Sequence, residues 1–444
     1  MRGCMKKVHI ITFGCQMNEH DSEQIAGMLR TMGYTATSIP EEADMILLNT
    51  CSIREKAEHK LYSHLGKLRP LKAQAPERIL GVCGCVAQQE AENIFKRAPH
   101  VDLVMGTKAI PRLPLLIQSL DYRSRIIDVS DVHWEDESQY LYRDCRFKAF
   151  ITIIRGCNNF CSYCVVPYTR GREESRPAKE ILDEARRLVE DGALEITLLG
   201  QNVSSYVDPN HNVPSFPHLL RAIHTIDGLQ RLRFITAHPK DLSDELIDTM
   251  AQLPTVCEHF HLPLQAGSNA VLQAMNRHYS REWYLNRVKR LREAMPEIAI
   301  TTDIIVGFPG EREEDFAQTM EMLHDVRYDG IFAFKYSIRP QAKSGAFPGH
   351  LPEDVKANRL QHVLEIQRQI NLEKNAEKVG KTFDVLPELV NPRFPDTLTG
   401  RTRTNHVVTF PGTPDQLGTL LPVRITAAHP FRLAGERVLA PAGA

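Results

Sequence analysis

Three cysteines in one short run carry the first chemical signal. The segment Arg155-Gly-Cys157-Asn-Asn-Phe-Cys161-Ser-Tyr-Cys164 sets thiols four and then three residues apart, just after the apolar run 149–154. Three thiolates on one tight loop can hold three irons of a four-iron, four-sulfur cube. No fourth cysteine stands at a similarly short spacing. The fourth iron would then be open to a small-molecule ligand, as a catalytic metal keeps one coordination position free. A zinc site would want a fourth protein ligand, and none is near. Three unrelated thiols are the remaining alternative.

A second set is spread over the first hundred residues: Gly14-Cys15-Gln-Met-Asn18, Asn49-Thr-Cys51-Ser-Ile-Arg54 and Gly84-Cys85-Val-Ala87. Each cysteine closely follows a predicted strand. Loops at one edge of a parallel α/β sheet bring distant residues together. Gly14 and Gly84 let backbone pass close to a bulky group. Three converging thiolates would hold a second cluster, again with one iron open. Against this, a free cysteine is often buried as a small hydrophobe. Cys83 competes with Cys85; strand alternation points both the same way, and Cys85 is preferred because it lies nearer the loop. Cys4, Cys145 and Cys257 fit neither set and read as structural.

These loops need elements to position them. Strand-like runs at 8–13, 45–49, 78–82 and 101–104 alternate with helical stretches such as 20–32 and 54–68. That alternation predicts a small parallel α/β domain over residues 6–122. Residues 123–142 lose periodicity and turn acidic, which reads as a linker. A second alternation fills 143–375, with strands at 149–154, 195–199, 231–236, 258–264, 299–306 and 330–336, and helices such as 178–190 and 313–326. Six β/α units suggest a partial (β/α)6 barrel, whose chemistry gathers at the C-terminal ends of its strands. The cysteine loop follows the first of them. Residues 352–377 read as a long helix with a rough apolar stripe (Val355, Leu360, Val363, Leu364, Ile366, Ile370) for core or domain interface. Residues 378–441 read as a small all-β barrel, short apolar runs broken by Gly400, Gly412 and Gly418. The fold class is thus α/β with a C-terminal β-barrel.

At 444 residues the chain is too long for one ordinary core, which agrees with that division. Its 54 Lys and Arg against 55 Asp and Glu leave a net charge of −1, so any nucleic-acid surface must be a local patch. No apolar stretch approaches the ~20 residues needed to span a membrane. The opening residues read as a strand rather than a signal peptide. Ten cysteines without a secretory signal suggest a reducing cytoplasm, where thiols bind metal or pack.

The run Cys157-x3-Cys161-x2-Cys164 resembles the radical S-adenosylmethionine motif. The whole chain resembles the methylthiotransferases, which pair such a core with an N-terminal three-cysteine domain and a C-terminal TRAM-type barrel. Four segments are most similar to the subtype acting on N6-dimethylallyladenosine in tRNA: residues 49–57 (NTCSIREKA), 197–203 (TLLGQNV), 261–268 (HLPLQAGS) and 400–405 (GRTRTN). Two departures stand out. Gln341-Ala-Lys-Ser-Gly345 replaces the family's Gly-Thr after Arg339-Pro340, and Ala266 replaces a serine.

The resemblance implies two [4Fe-4S] clusters and S-adenosylmethionine as cofactors. The open iron of the Cys157, Cys161, Cys164 cluster would take the methionyl amine and carboxylate. Cleavage would give a 5′-deoxyadenosyl radical to remove hydrogen from C2 of the adenine at position 37, beside the anticodon. The Cys15, Cys51, Cys85 cluster would supply the sulfur. Implied partners are a tRNA anticodon stem-loop, an electron donor such as a flavodoxin or ferredoxin, and iron–sulfur assembly proteins; a monomer is expected. Cofactor contacts are expected from Tyr163, against the adenine, from Gly200, Gln201 and Asn202 at a strand end, and from Gly307. His259 and His261 could enter the barrel, though hydrogen-bonded core histidines are the simpler reading. Two rivals remain. One is the same chemistry on threonylcarbamoyl-adenosine or a ribosomal protein aspartate. The other is a non-catalytic iron–sulfur protein that binds RNA and senses redox state.

The case for RNA rests on the last domain. Residues 378–444 carry eight Lys and Arg and five Asp and Glu, net +3. Arg401, Arg403 and Asn405 fall on a presumed loop that could grip phosphate or sugar. Arg170, Arg172 and Arg176 could extend the path.

Overall fold

A computed structural model describes residues 5–52, 55–131, 142, 143 and 145–438. Cys4, Ile53, Arg54 and the acidic residues 135–137 lie outside them.

Six parallel strands form the N-terminal sheet: β1 (Lys6–Phe13), β2 (Tyr34–Ala36), β3 (Met45–Thr50), β4 (Ile79–Gly84), β5 (Leu103–Met105) and β6 (Ile126–Asp128), in the order β2-β1-β3-β4-β5-β6. Central β3 is buried at every residue, as a strand covered on both faces must be. The stretch 123–142, expected to link, supplies β6. Its first residue, Ile126, pairs with Leu103 of β5 and is buried in the core. β1, β3 and β4 are neighbours, so the loops that follow them open side by side.

The central unit begins with β7 (Lys148–Thr152). A short antiparallel pair follows, β8 (Ile154–Arg155) with β9 (Glu174–Ser175), and brackets the cysteine loop. Then come β10 (Glu195–Leu199), β11 (Arg231–Phe234), β12 (His259–His261), β13 (Ala299–Val306) and β14 (Gly330–Lys335). β7, β10 and β11 make one parallel sheet; β12, β13 and β14 make another. A parallel bridge from Leu232 to Val256 joins them. Helices cover the outside; Ala178–Glu190, for instance, buries Ala178, Ile181, Ala185 and Leu188 against the sheet. Alternation sends Ile196, Leu198, Leu232, Phe234, Ile300 and Ile304 into that outer core. The opposite alternation lines the interior with Glu195, Thr197, Arg231, Arg233, His259, His261, Thr301 and Asp303. A polar interior is unusual for a barrel core, which branched apolar side chains normally fill.

Five strands close the C-terminal barrel: β15 (Thr382–Asn391), β16 (Phe394–Thr402), β17 (Val407–Pro411), β18 (Leu421–His429) and β19 (Arg432–Arg437), ordered β15-β16-β17-β19-β18. This barrel sits against the N-terminal ends of the central strands. Arg231 donates to the carbonyls of Arg401 and Asp384 at 2.9 and 2.7 Å. Lys148 pairs with Glu388 at 2.9 Å, and Arg403 holds Glu258 through both Nε and Nη2. His406 stands 3.7 Å from Asp329, which Lys374 also holds at 2.7 Å. Among the described residues no helix is long and apolar enough to cross a membrane.

Candidate metal centre

The cysteine loop is held from all sides. Gly156 turns into it at φ +74°, where a Cβ would lie 2.0 Å from the Arg172 carbonyl oxygen. The Cys157 N–H donates to the Gly171 carbonyl at 3.2 Å. Phe160 is left-handed at φ +47°, and Asn276, itself at φ +59°, donates to the carbonyls of Asn159 and Phe160 at 3.1 and 3.0 Å. Thr236 at φ +68° and Gln265 at φ +70° add strained backbone after β11 and β12. Such strain gathers at functional sites.

Each sulfur of the loop receives an N–H. Asn159 donates its backbone N–H and Nδ2 to Cys157 Sγ at 3.5 and 3.4 Å. Arg277 Nη1 donates to Cys161 Sγ at 3.4 Å, and the Val166 N–H to Cys164 Sγ at 3.4 Å. These donors suit thiolates bound to metal and tune a cluster they surround. Burial pushes the Cys164 thiol up to about 12 and raises that of Cys157. Thiols in such a place stay neutral unless a bound cation strips the proton. Among the described residues no three His, Cys, Asp or Glu side chains surround a single point where one ion would sit. On a cube each thiolate takes its own iron, so the three need not share a point. The residues fit a three-thiolate cluster.

The second set converges as well. Cys15 starts the helix Gln16–Thr31; a Cβ on Gly14 would lie 2.9 Å from Cys51 Cβ. A hydrogen bond with Cys51, the Arg170 charge and the helix N–H groups of Asn18 and Met17 outweigh burial and bring the Cys15 thiol down to about 6. Cys85 opens the helix Cys85–Glu90; burial raises its thiol, and the nearby Arg170 charge works against that rise. Cys83 faces away: Gly84 at φ +91° breaks the strand alternation, leaving Cys83 Sγ in the core 3.6 Å from the Leu48 carbonyl. The end of β7 meets this domain where Thr152 Oγ1 donates to Met17 Sδ at 3.8 Å. Cys145 is half-buried, and Cys257 is buried beside Arg233.

The expected cofactor contacts are engaged by the loops around the site. Gly200 packs on Ile154, Gln201 Oε1 accepts from the Gly156 N–H at 2.5 Å, and buried Asn202 accepts from the His238 N–H and donates to Asp241. Gly307 turns at φ +74° under the Lys356 stem and donates to Glu311 at 3.0 Å. The Tyr163 ring packs against an apolar cluster that includes Ala266, Met275, Phe308 and Tyr336. Ala266 is 2% exposed there, where a serine hydroxyl would need a partner. The other departure touches the loop directly: the Ser344 N–H donates to the Ser162 carbonyl at 2.9 Å. His261 bonds Thr301 and lies 3.4 Å from Asp303; His259 is buried and neutral against Thr301. Sequence reasoning missed Asn159 and Arg277, since a single N–H to sulfur leaves no pattern in spacing.

The arginines expected on RNA divide. Arg403 spends its guanidinium on Glu258 and the Val256 carbonyl, and Arg401 donates to Asn405, which turns at φ +66°. Arg403 and Asn405 therefore build the docking turn, and Arg401 keeps a partly exposed side chain at its rim. Arg170 and Arg176 are buried in ion pairs with Asp21 and Glu184; Arg172 alone of the three is exposed, lying over Phe160. Beside Arg401 a groove of about 750 Å³ runs between β14, the helix Glu353–Ala376 and the C-terminal barrel. Phe332 (51% exposed), Phe431 (75%), Leu364, Arg368 and Arg432 line it.

Three families match the chain in series: Uncharacterized protein family UPF0004 over residues 7–106, the Radical SAM superfamily over 151–323, and the TRAM domain over 376–438. The tRNA-2-methylthio-N(6)-dimethylallyladenosine synthase of Syntrophotalea carbinolica is 47% identical over 98% of this chain and 100% of its own length. That of Carboxydothermus hydrogenoformans is 46% identical over 98% and 99%. In fold, the chain resembles the radical S-adenosylmethionine methyltransferase TsrM from Kitasatospora setae, with a TM-score of 0.56 at 14% identity over 77% of this chain and 75% of that one. The cysteine loop at the head of a partial barrel, the domain before it and the barrel after it thus have full-length counterparts, and the chain belongs to the tRNA-2-methylthio-N(6)-dimethylallyladenosine synthase family of radical S-adenosylmethionine transferases.

Proposed function

We propose that this chain methylthiolates C2 of N6-dimethylallyladenosine at position 37 of tRNA. What most supports the reading is that all three sulfurs of Cys157, Cys161 and Cys164 receive N–H donors, in a chain like these synthases from end to end. Bound there, a four-iron cluster and S-adenosylmethionine supply a 5′-deoxyadenosyl radical, and a second cluster on Cys15, Cys51 and Cys85 supplies the sulfur. The C2–H of adenine is too weakly acidic for any acid–base pair, so the chain's own groups serve in other ways. Asn159, Arg277 and Val166 keep the thiolates solvated without water. Gln201, Asn202 and Gly307 brace the loops at the strand ends, and Tyr163 walls the site with apolar surface. Charge and exposed rings in the groove suit a splayed single strand, whose bases stack on aromatic side chains. The reaction belongs in the cytoplasm, with a small reducing protein as electron donor, assembly proteins for both clusters, and one chain per active unit.

Nucleoside mass spectrometry of tRNA tests this, using cells without the gene and cells in which it is restored. The 2-methylthio nucleoside disappears, its unthiolated precursor accumulates, and the gene reverses both. An unchanged nucleoside would overturn the tRNA assignment and direct attention to threonylcarbamoyl-adenosine and ribosomal protein.

A further inference from the structure

One short segment touches both cysteine sets. Residues 170–172 follow the helix Val166–Thr169, six residues beyond Cys164. Their backbone lies along the first loop, where Gly171 accepts the Cys157 N–H at 3.2 Å. Their first side chain leaves that loop for the other domain. Arg170 Nη2 reaches Asp21 Oδ2 at 2.8 Å, with both side chains buried. Asp21 lies on the helix that Cys15 starts, and the same guanidinium lies close enough to Cys85 and Cys15 for its charge to act on both thiols. Thr107 Oγ1 fixes the segment by donating to the Thr169 carbonyl at 2.7 Å.

Burying a guanidinium is costly before any partner is counted. A mere clamp between domains could have been apolar. Asp21 offsets this charge in the chain itself. A four-iron cluster on three thiolates is itself an anion, and a sulfur anion on its open iron adds more negative charge in a place without water. That addition needs a fixed cation, and arginine cannot lose its proton.

We propose that Arg170 is the counter-charge for the sulfur anion carried at the open iron of the Cys15, Cys51, Cys85 cluster. It is a positioning residue rather than a catalytic one: it holds the charge of that site and fixes its distance from the first loop. Binding of the sulfur anion is donation of a lone pair to iron, with no change of oxidation state. The proposal rests on the reading that these three cysteines hold a cluster.

The test uses the full chain with Cys157, Cys161 and Cys164 replaced by alanine, reconstituted without oxygen, so that only the second set can bind iron. Absence of a reducible four-iron signal in that parent would refute the cluster reading itself. With the signal present, potentiometric EPR titrations are run with and without methanethiolate on R170Q and R170K. R170Q moves the midpoint to more negative potential and weakens methanethiolate binding by about a hundredfold, the scale expected when one member of a buried charge pair is lost. R170K restores most of both. Equal midpoints and equal affinity in R170Q and the parent overturn the proposal. If R170Q takes up no iron, D21N decides. It frees the cation from its carboxylate, so the midpoint rises and methanethiolate binds more tightly; no change, or the reverse, overturns the proposal.

Discussion

Arg233 donates to the Thr402 carbonyl at 2.7 Å while its Nε holds Glu195 at 2.9 Å. Burial would raise the Glu195 carboxyl, but Arg233, Lys148 and Arg231 hold it below its ordinary value. One buried cation thus ties the floor of the central barrel to the turn after β16. Replacing Arg233 with methionine leaves Glu195 without its main partner. It should cost about 3–5 kcal/mol in urea unfolding and make the C-terminal barrel sensitive to protease. Wild-type stability would show that this seam is a contact without energetic weight.

Cys15→Ala separates the two cysteine sets. With the second set broken, thiolation stops while S-adenosylmethionine is still cleaved to 5′-deoxyadenosine under dithionite. Cys157→Ala stops both. Loss of 5′-deoxyadenosine in Cys15→Ala as well would assign that set a structural role.

Gly156→Ala tests the loop itself. The new methyl meets the Arg172 carbonyl at 2.0 Å in a left-handed backbone, so Cys157 must shift. Iron bound per chain falls and the S-adenosylmethionine-dependent EPR change is lost. Full iron content in this variant would mean the loop tolerates another path.

Phe332 and Phe431 flank the groove beside Arg401. Their double replacement by alanine should weaken tRNA binding by about 1–3 kcal/mol for each base stacked, with iron content unchanged. Filter binding with unmodified tRNA reads this, and equal affinity would remove the groove from the RNA path.

Three histidines set a pH dependence. Burial, with Arg277, Lys240 and His278 nearby, pushes His238 down to about 2, and burial also lowers His259 and His406. The folded chain keeps these rings neutral, whereas the unfolded chain takes protons below pH ~6.5. Stability is therefore full above that value and falls as pH drops, by up to ~1.4 kcal/mol per pH unit for each ring that stays neutral in the fold. Urea midpoints hold from pH 8.5 to 7.5 and fall from 7 to 5, with a smaller slope in His406→Gln. A flat midpoint would show that the rings are protonated while folded.

Periodicity revealed most of the scaffold. The strands at 195–199 and 299–306 and the helices at 178–190 and 313–326 appear with the bounds the pattern suggests, because each is long and its apolar face meets one layer. β6 was illegible: it has three residues, lies at a sheet edge and ends in an acidic stretch. The Cys83–Cys85 ambiguity turned on a dihedral at Gly84 that spacing does not encode. The arginines misled for a plainer reason. A basic residue reads the same whether it faces solvent or, like Arg170 and Arg403, a carboxylate on another domain.

The seating of the C-terminal barrel has a consequence for the fate of a radical. Contacts from Lys148, Arg231, Glu258 and Asp329 run around the lower rim of the central barrel. A tube open at both ends would let water and reductant drift past a reactive carbon. Here the C-terminal barrel covers that lower rim, leaving the groove beside Arg401 open at its edge. The domain that suits RNA is thus also the stopper, and a truncated chain lacking it should leak: 5′-deoxyadenosine would form without product.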